Sequence, residues 1–350
     1  MSWKLTEEQV QKALSLAKDR SATGLDRCPY ELWKALQKRH SKLRHRNDQS
    51  FDIIKILMHI YRDIQAHGVD ERTEFTMGWM CPLFKKKDPT DIRNYRPIML
   101  INANYKLLTK TLAIQLMDHM QCLIHPDQAG FIPKRSIFNH IRLVKAILSY
   151  AEATEEDRAI IALDQEKAYN KIRHNYLWKI MNAFNLPQPF IQTVHVLYSN
   201  TQTKVVINGV MSEPYQVKRG VRQGDPLSCP LFDLAIEPLA CMIRNDPNIK
   251  GITIPGIKEA IKIKLFADDT SIFLNKDDSL DHLQTILNRW CELSGTRFNI
   301  EKTEIIPMGS ERHRKQVWET RKTNPNDENT IPERIKITCN KEAKGSSAPG

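Results

Sequence analysis

Residues 261–274 read Ile-Lys-Ile-Lys-Leu-Phe-Ala-Asp-Asp-Thr-Ser-Ile-Phe-Leu, an adjacent acidic pair, Asp268 and Asp269, set between two apolar runs. The alternation on either side predicts a hairpin, 261–265 turning back into 271–274, with the acids at its tip. Successive residues on a straight strand face opposite sides, so a tight turn is needed to bring both carboxylates to one side. Ionised neighbours in an apolar ribbon repel one another and resist desolvation, and a bound cation or a raised pKa has to compensate them. A metal site is the first expectation. Asp277 and Asp278 are the internal control: equally adjacent, they sit among Asn275, Lys276 and Ser279 and read as a solvated loop.

Outward from this hairpin, Ala159-Ile160-Ile161-Ala162-Leu163 is a strand-like run ending at Asp164, and residues 166–181 follow with helical spacing. An aspartate between strand and helix is most simply an N-cap. Together with Asp268 and Asp269, however, it puts three acids on two strand ends, a set that suits two divalent ions. Mg²⁺ takes hard oxygen ligands and keeps open positions for water and phosphate, the arrangement of two-metal phosphoryl transfer. Nucleotidyl transfer is the expected chemistry, with Asp164, Asp268 and Asp269 as catalytic and metal-binding residues, two Mg²⁺ as cofactor and Mn²⁺ as a substitute.

The rest of the chain predicts a mixed α/β protein. Apolar spacing gives helices up to about residue 67, a hairpin over 79–100 with a basic tip at Lys85, Lys86 and Lys87, and helices over 105–120 and 137–151. A strand pair follows at 203–208 and 215–217, and a long apolar helix after Pro226. The 350 residues carry a formal net charge of +11, with an isoelectric point near 9.2. That excess favours a polyanionic partner, and its densest block, Lys34, Lys38, Arg39, Lys42, Arg44, His45 and Arg46, reads as a phosphate-tracking face or an exposed helix surface. Seven cysteines without a CxxC pair read as reduced, mostly buried thiols. With no signal-peptide core and no run long enough to span a bilayer, an intracellular protein without membrane contact is expected.

Three stretches carry a family resemblance: 164–170 (Asp-Gln-Glu-Lys-Ala-Tyr-Asn), 219–227 (Arg-Gly-Val-Arg-Gln-Gly-Asp-Pro-Leu) and 266–269 (Phe-Ala-Asp-Asp). In order and spacing they resemble the palm motifs of reverse transcriptases from LINE-type non-LTR retrotransposons. The match extends to Asn94-Tyr95-Arg96-Pro97-Ile98, to Asp127 through Pro133 and to 298–303, covers about residues 20–308, and is worded most like fungal Tad-like elements.

The resemblance implies a right-hand polymerase with fingers and palm, an antiparallel palm sheet packed on helices and a thumb that is missing or incomplete. The implied layout is a helical extension at 1–80, fingers at 81–150, palm at 151–308 and a polar, disordered or truncated tail at 309–350. It also implies an RNA-directed DNA polymerase working on an RNA template and a DNA primer with dNTPs, and action in the nucleus. Tyr169 matches the aromatic gate that excludes a ribose hydroxyl, although an aromatic there also suits a buried helix face. Arg96 and Lys86 are implied phosphate contacts, Arg96 being capable of bidentate pairing. Gln223 and Gly224 are implied contacts of the incoming nucleotide, and Gly220, Arg222 and Pro226 of the template and primer. For Arg222 a purely structural role stays open. Lys302 matches the lysine that protonates the leaving pyrophosphate.

Two residues depart from the family pattern: Asn170 stands where an aspartate is usual, and Arg27 where a glycine is usual. Family members also carry an endonuclease upstream and continue beyond this C-terminus, so a truncated copy, frameshifted near Ala343, is expected. The rival reading is a weak or inactive remnant that binds nucleic acid without turnover. A viral RNA-dependent RNA polymerase is disfavoured by Tyr169 and Ala267.

Overall fold

The structure, a computed structural model of the chain, describes residues 4–46, 49–70 and 72–338. Along it run α1 (Glu7–Ser15), α2 (Tyr30–Arg44), α3 (Ile53–His67), β1 (Gly78–Phe84), β2 (Tyr95–Ile101), α4 (Ala103–Leu123), α5 (Ile137–Thr154), β3 (Arg158–Leu163), α6 (Ala168–Lys171) and α7 (His174–Ala183). They are followed by α8 (Gln188–Ser199), β4 (Gln202–Ile207), β5 (Val210–Met211), β6 (Tyr215–Gln216), α9 (Ser228–Asn245), β7 (Ile263–Phe266), β8 (Asp269–Asn275), α10 (Leu280–Ser294), β9 (Glu304–Met308), α11 (Glu311–Thr320) and β10 (Lys336–Ile337). The α/β class expected from the sequence is the class observed. Two compact units interleave along the chain, Met1–Met120 with Arg173–Leu231 and Gln121–Ile172 with Phe232–Gly350. This division differs from the consecutive segments expected at 1–80, 81–150, 151–308 and 309–350.

In the first unit, a capping box starts α1: Thr6 Oγ1 accepts from the Gln9 amide while the Gln9 side chain accepts from the Thr6 amide. Helix α3, capped by Asp52, buries Ile53, Ile54, Leu57, Met58, Tyr61 and Ile64, and the Tyr61 hydroxyl donates to the Asn104 carbonyl at 2.9 Å. Strands β1 and β2 form the expected antiparallel hairpin, from Gly78 opposite Ile101 to Phe84 opposite Tyr95, with the three lysines exposed at its tip. Strand β4 pairs with β1 in parallel and takes β5 and β6 as antiparallel neighbours.

The second unit is built on a sheet of order β10-β9-β3-β8-β7. Central β3 lies antiparallel to both β8 and β9, and its near-continuous apolar run reflects that central place. Ile160, Phe273 and Met308 from these strands pack with Ile252, Ile261 and with Ile147 and Ala151 of α5. Each such large side chain contributes about 1.5–3 kcal/mol by leaving water. The register sets the site: Leu163 stands opposite Thr270, so Asp164 leaves β3 beside Asp269.

Four local expectations are corrected. Residues 166–181 do not form one helix; α6 ends at Lys171 and α7 starts at His174, because the Arg173 backbone bridges to Arg219 instead of continuing the helix. The stretch from 309, expected to be disordered, forms α11 and β10 and buries Val317, Ile331 and Ile337. Its polar residues order it: Arg321 donates to the carbonyls of Ile331, Pro332 and Ile335, and Asp327 accepts from Ser279 Oγ at 2.7 Å. The part of that tail beyond 338 lies outside the described residues. Asp278 is not solvated but 1 % exposed. The described cysteines are in no disulfide but are half-buried or, at Cys122, exposed; Cys339 lies outside the described residues.

Candidate active site

Phe266 pairs with Asp269, which leaves Ala267 and Asp268 as a two-residue turn between β7 and β8. Ala267 holds φ at +56°, in the left-handed region that costs an L-residue about 1–2 kcal/mol. The turn half-buries Asp268 and leaves Asp269 exposed. Burial pushes the Asp268 carboxyl above its usual range, and the charges of Asp269 and Asp164 push the same way. Asp269 is raised by the partial desolvation of its carboxyl and then by Asp164, with Lys302 opposing in both cases.

Lys302 is brought there by backbone pairing. The Asn299 amide donates to the Asp164 carbonyl at 2.7 Å and the Glu166 amide to the Arg297 carbonyl at 2.9 Å. The Asn299 side chain then caps a short 3₁₀ turn, Ile300–Lys302, by accepting from the Glu301 amide. Lys302 Nζ ends 3.0 Å from Asp164 Oδ2, in an ion pair whose lysine side chain is 60 % exposed. Such a pair is worth at most about 1 kcal/mol, little enough for Lys302 to exchange Asp164 for another anion.

Among the described residues no group of three or more His, Cys, Asp or Glu side chains is arranged as a metal-holding set. The donor chemistry nonetheless fits a divalent cation. Asp164, Asp268 and Asp269 are hard oxygen ligands, and the raised carboxyls of the last two mark negative charge that the protein itself leaves undercompensated.

Tyr169, on α6, lies against Phe232 with ring centroids 4.8 Å apart and planes 9° from parallel. Phe232 is fully buried, so the stack fixes one face of the half-exposed tyrosine. Asp164, Tyr169, Asp268, Asp269 and Lys302 therefore belong to one unit.

The remaining expected residues belong to the other unit. Arg96, opposite Leu83 on the hairpin, and Lys86 are exposed. Gly224 has φ +102°, and a Cβ there would meet the Met99 carbonyl oxygen at 2.7 Å, while the Met99 amide donates to the Gln223 carbonyl at 3.2 Å. That close approach to β2 is why a glycine is required. Gly220 is buried and its carbonyl accepts from the His174 imidazole. Half-buried Pro226 lies just ahead of α9.

Arg222 is 3 % exposed, over the Tyr105 ring at 5.0 Å, and among the described residues none of its guanidinium nitrogens meets a hydrogen-bond acceptor within hydrogen-bond geometry. Its charge is balanced by the ring face and by nearby Asp225, a buried carboxylate raised by burial and accepting from the Leu227 amide and the Tyr105 hydroxyl. Of the two readings open for Arg222, this burial supports the structural one.

Sequence reasoning passed over Asp225, Phe232 and Gln128. Asp225 and Gln128 lay inside motifs already quoted, where only a role was missing. Phe232 lay in an apolar helix with no local signal.

The family model described as "Reverse transcriptase (RNA-dependent DNA polymerase)" matches residues 84–323, more than half of the chain. The "Transposon TX1 uncharacterized 149 kDa protein" of Xenopus laevis is 31% identical over 226 residues, 65% of this chain and 17% of that protein. A "Retrovirus-related Pol polyprotein from type-1 retrotransposable element R2" of Popillia japonica is 25% identical over 227 residues, 65% of this chain and 31% of that protein. The chain thus spans less than a third of the length of these relatives. Among solved structures, the telomerase of Candida Tropicalis in complex with a fragment of telomeric RNA overlays with a TM-score of 0.48 at 15% identity, over 73% of this chain and 44% of that one. On the family match, this chain belongs to the reverse transcriptase family, and its relatives are the reverse transcriptase proteins of non-LTR retrotransposons.

Proposed function

We propose that the chain is the polymerase part of a non-LTR retrotransposon protein, an RNA-directed DNA polymerase that adds dNTPs to a DNA primer on an RNA template. The observation that carries this reading is the meeting of Asp164, Asp268 and Asp269 in one electrostatic neighbourhood with Lys302 on Asp164. Asp164, Asp268 and Asp269 would hold two Mg²⁺, or Mn²⁺ in their place. When bound, such ions neutralise charge on the attacking and leaving oxygens of phosphoryl transfer.

The side chains then take separate roles. The primer 3′ hydroxyl gives its proton to water as its oxygen bonds to the α-phosphorus and the bond to pyrophosphate breaks, and Lys302 gives from Nζ the proton that pyrophosphate takes. Tyr169, backed by Phe232, presents its ring to the sugar and excludes a 2′ hydroxyl. Arg96 and Lys86 are exposed cations for the triphosphate. For Gln223, Gly224, Gly220 and Pro226 the family resemblance supports roles as contacts of nucleotide and template. Arg222 supports their loop from inside. The placement nearest fungal Tad-like elements rests on motif wording, and nuclear action rests on the family.

Extension of a DNA primer on an RNA template, with dNTPs and Mg²⁺, tests this when the chain is compared with its Asp268→Asn variant. The expected result is extension that the variant loses. Equal, negligible signal from both would sink the enzyme reading. Duplex binding retained in that case, and falling steeply with salt, would favour a non-catalytic nucleic-acid binder.

A further inference from the structure

The acidic turn does not hold itself. Ala267 sits at φ +56°, where a non-glycine residue persists only if its surroundings over-determine it. The surroundings are the segment 127–130. The Leu265 amide donates to the Asp127 carbonyl at 2.8 Å, and the Ala129 amide to the Leu265 carbonyl at 2.9 Å, so this segment lies along β7 as a short parallel bridge. From it Gln128, 0 % exposed, reaches the turn itself. Its Oε1 accepts from the Ala267 amide at 2.9 Å and from the Gly130 amide at 2.8 Å, and its Nε2 donates to the Ala267 carbonyl at 3.2 Å.

One side chain thus takes both backbone polar groups of the residue that precedes Asp268. A primary carboxamide is the group that does this, since it offers an acceptor and a donor in one plane. Gly130 completes the fit, because a Cβ at that position would meet the Ala267 nitrogen at 2.2 Å. The segment is itself anchored. Asp127 is paired with Lys264 of β7 and lies 3.2 Å from the Arg244 guanidinium, and Arg135 donates to the Gln128 carbonyl at 2.8 Å.

We propose that Gln128 is a positioning residue for the carboxylate pair: it locks the left-handed turn at Ala267 and so sets the direction in which Asp268 and Asp269 leave the hairpin. Its catalytic consequence rests on the proposed function, but the lock itself is testable without it. Loss of the amide should free the turn and blur the carboxylate geometry that any cation needs.

Hydrogen exchange over the peptide spanning 265–270 tests the lock in the full chain, compared among the parent, Gln128→Leu and Gln128→Glu. Gln128→Leu should speed exchange at the Ala267 amide about tenfold or more, with thermal unfolding reporting whether the rest of the fold survives. Gln128→Glu, which keeps the acceptor and loses the donor, should restore most of the protection. In primer extension, Gln128→Leu should raise the Mg²⁺ concentration for half-maximal rate about tenfold more than it changes KM for the dNTP. Unchanged exchange at Ala267 in a folded Gln128→Leu protein would overturn the proposal. If Gln128→Leu does not fold, unchanged exchange in Gly130→Ala, which drives a methyl into the Ala267 amide, would overturn it equally. A parent chain that never extends primer would instead count against the polymerase reading, leaving the exchange result to decide the lock.

Discussion

The same strand β8 begins and ends near an adjacent pair of aspartates, and the two pairs are used in opposite ways. At its far end Asp278 is almost fully buried and spends its carboxylate on backbone: it accepts from the amides of Asn275, Lys250 and Gly251 at 2.9, 2.7 and 2.9 Å, while Asp277 stays outside and pairs with Lys250. At its start Asp268 and Asp269 are half-buried or exposed and have their carboxyls raised by desolvation and by neighbouring acids. A carboxylate saturated by amides is a fastener; one held near others without compensation is a site waiting for positive charge. Adjacent acids in a sequence do not distinguish these uses, and the donors around them do.

Substitutions at the two pairs should therefore separate function from stability. Asp269→Asn is expected to lower primer extension about a thousandfold, the order of several kcal/mol of lost charge stabilisation, with the melting temperature unchanged or higher. Steady-state extension alongside thermal unfolding gives both numbers. Asp278→Ala reverses the pattern. It leaves buried amides unpaired and should cost about 3–5 kcal/mol, read by urea unfolding, and loss of extension should follow only loss of fold.

The pH dependence has a definite sign. Asp268 and Asp269 have folded pKa values above the unfolded 3.8, so their ionisation destabilises the metal-free fold at neutral pH and the penalty is relieved as pH falls through the raised values toward 3.8. The stability gain of the double variant Asp268→Asn with Asp269→Asn should accordingly be present at pH 7 and vanish near pH 3.8. A gain independent of pH would show that charge is not its cause.

Smaller effects lie at the departures from the family pattern. Asn170→Asp should raise extension by about 2–5-fold, the scale of one improved hydrogen bond, and no change would remove Asn170 from any account of weak activity. Arg27 holds φ at +53°, a conformation glycine adopts without strain. Arg27→Gly should stabilise the chain by about 0.5–1 kcal/mol in the same unfolding measurement, the relief of strain slightly outweighing the added chain entropy.

What the sequence made legible follows from where the physics is local. The alternation around Asp268 and Asp269 and the apolar run ending at Asp164 carry their own periodicity, and β3, β7 and β8 formed as read. The hairpin around Lys86 and Arg96 was legible for the same reason. What escaped depends on partners distant in the chain. Asp278 looks solvated among polar neighbours because two of its donors come from residues 250 and 251. For Arg222 the sequence leaves a template contact and a structural role open, because Tyr105, which sits under its guanidinium, is distant in the chain. The helix over 166–181 breaks because Arg173 finds Arg219, and the tail from 309 folds because Arg321 and Asp327 bind backbone and side chains that composition does not reveal.

The most direct test of the contrast between the two pairs is Mn²⁺ binding to the full chain, followed by electron paramagnetic resonance in the presence of an RNA–DNA primer-template and a non-extendable dNTP. A catalytic centre at Asp164, Asp268 and Asp269 predicts two tightly held ions in the parent and their loss from Asp268→Asn, with Asp277→Asn unchanged. Equal Mn²⁺ occupancy and affinity in the parent and Asp268→Asn would contradict it.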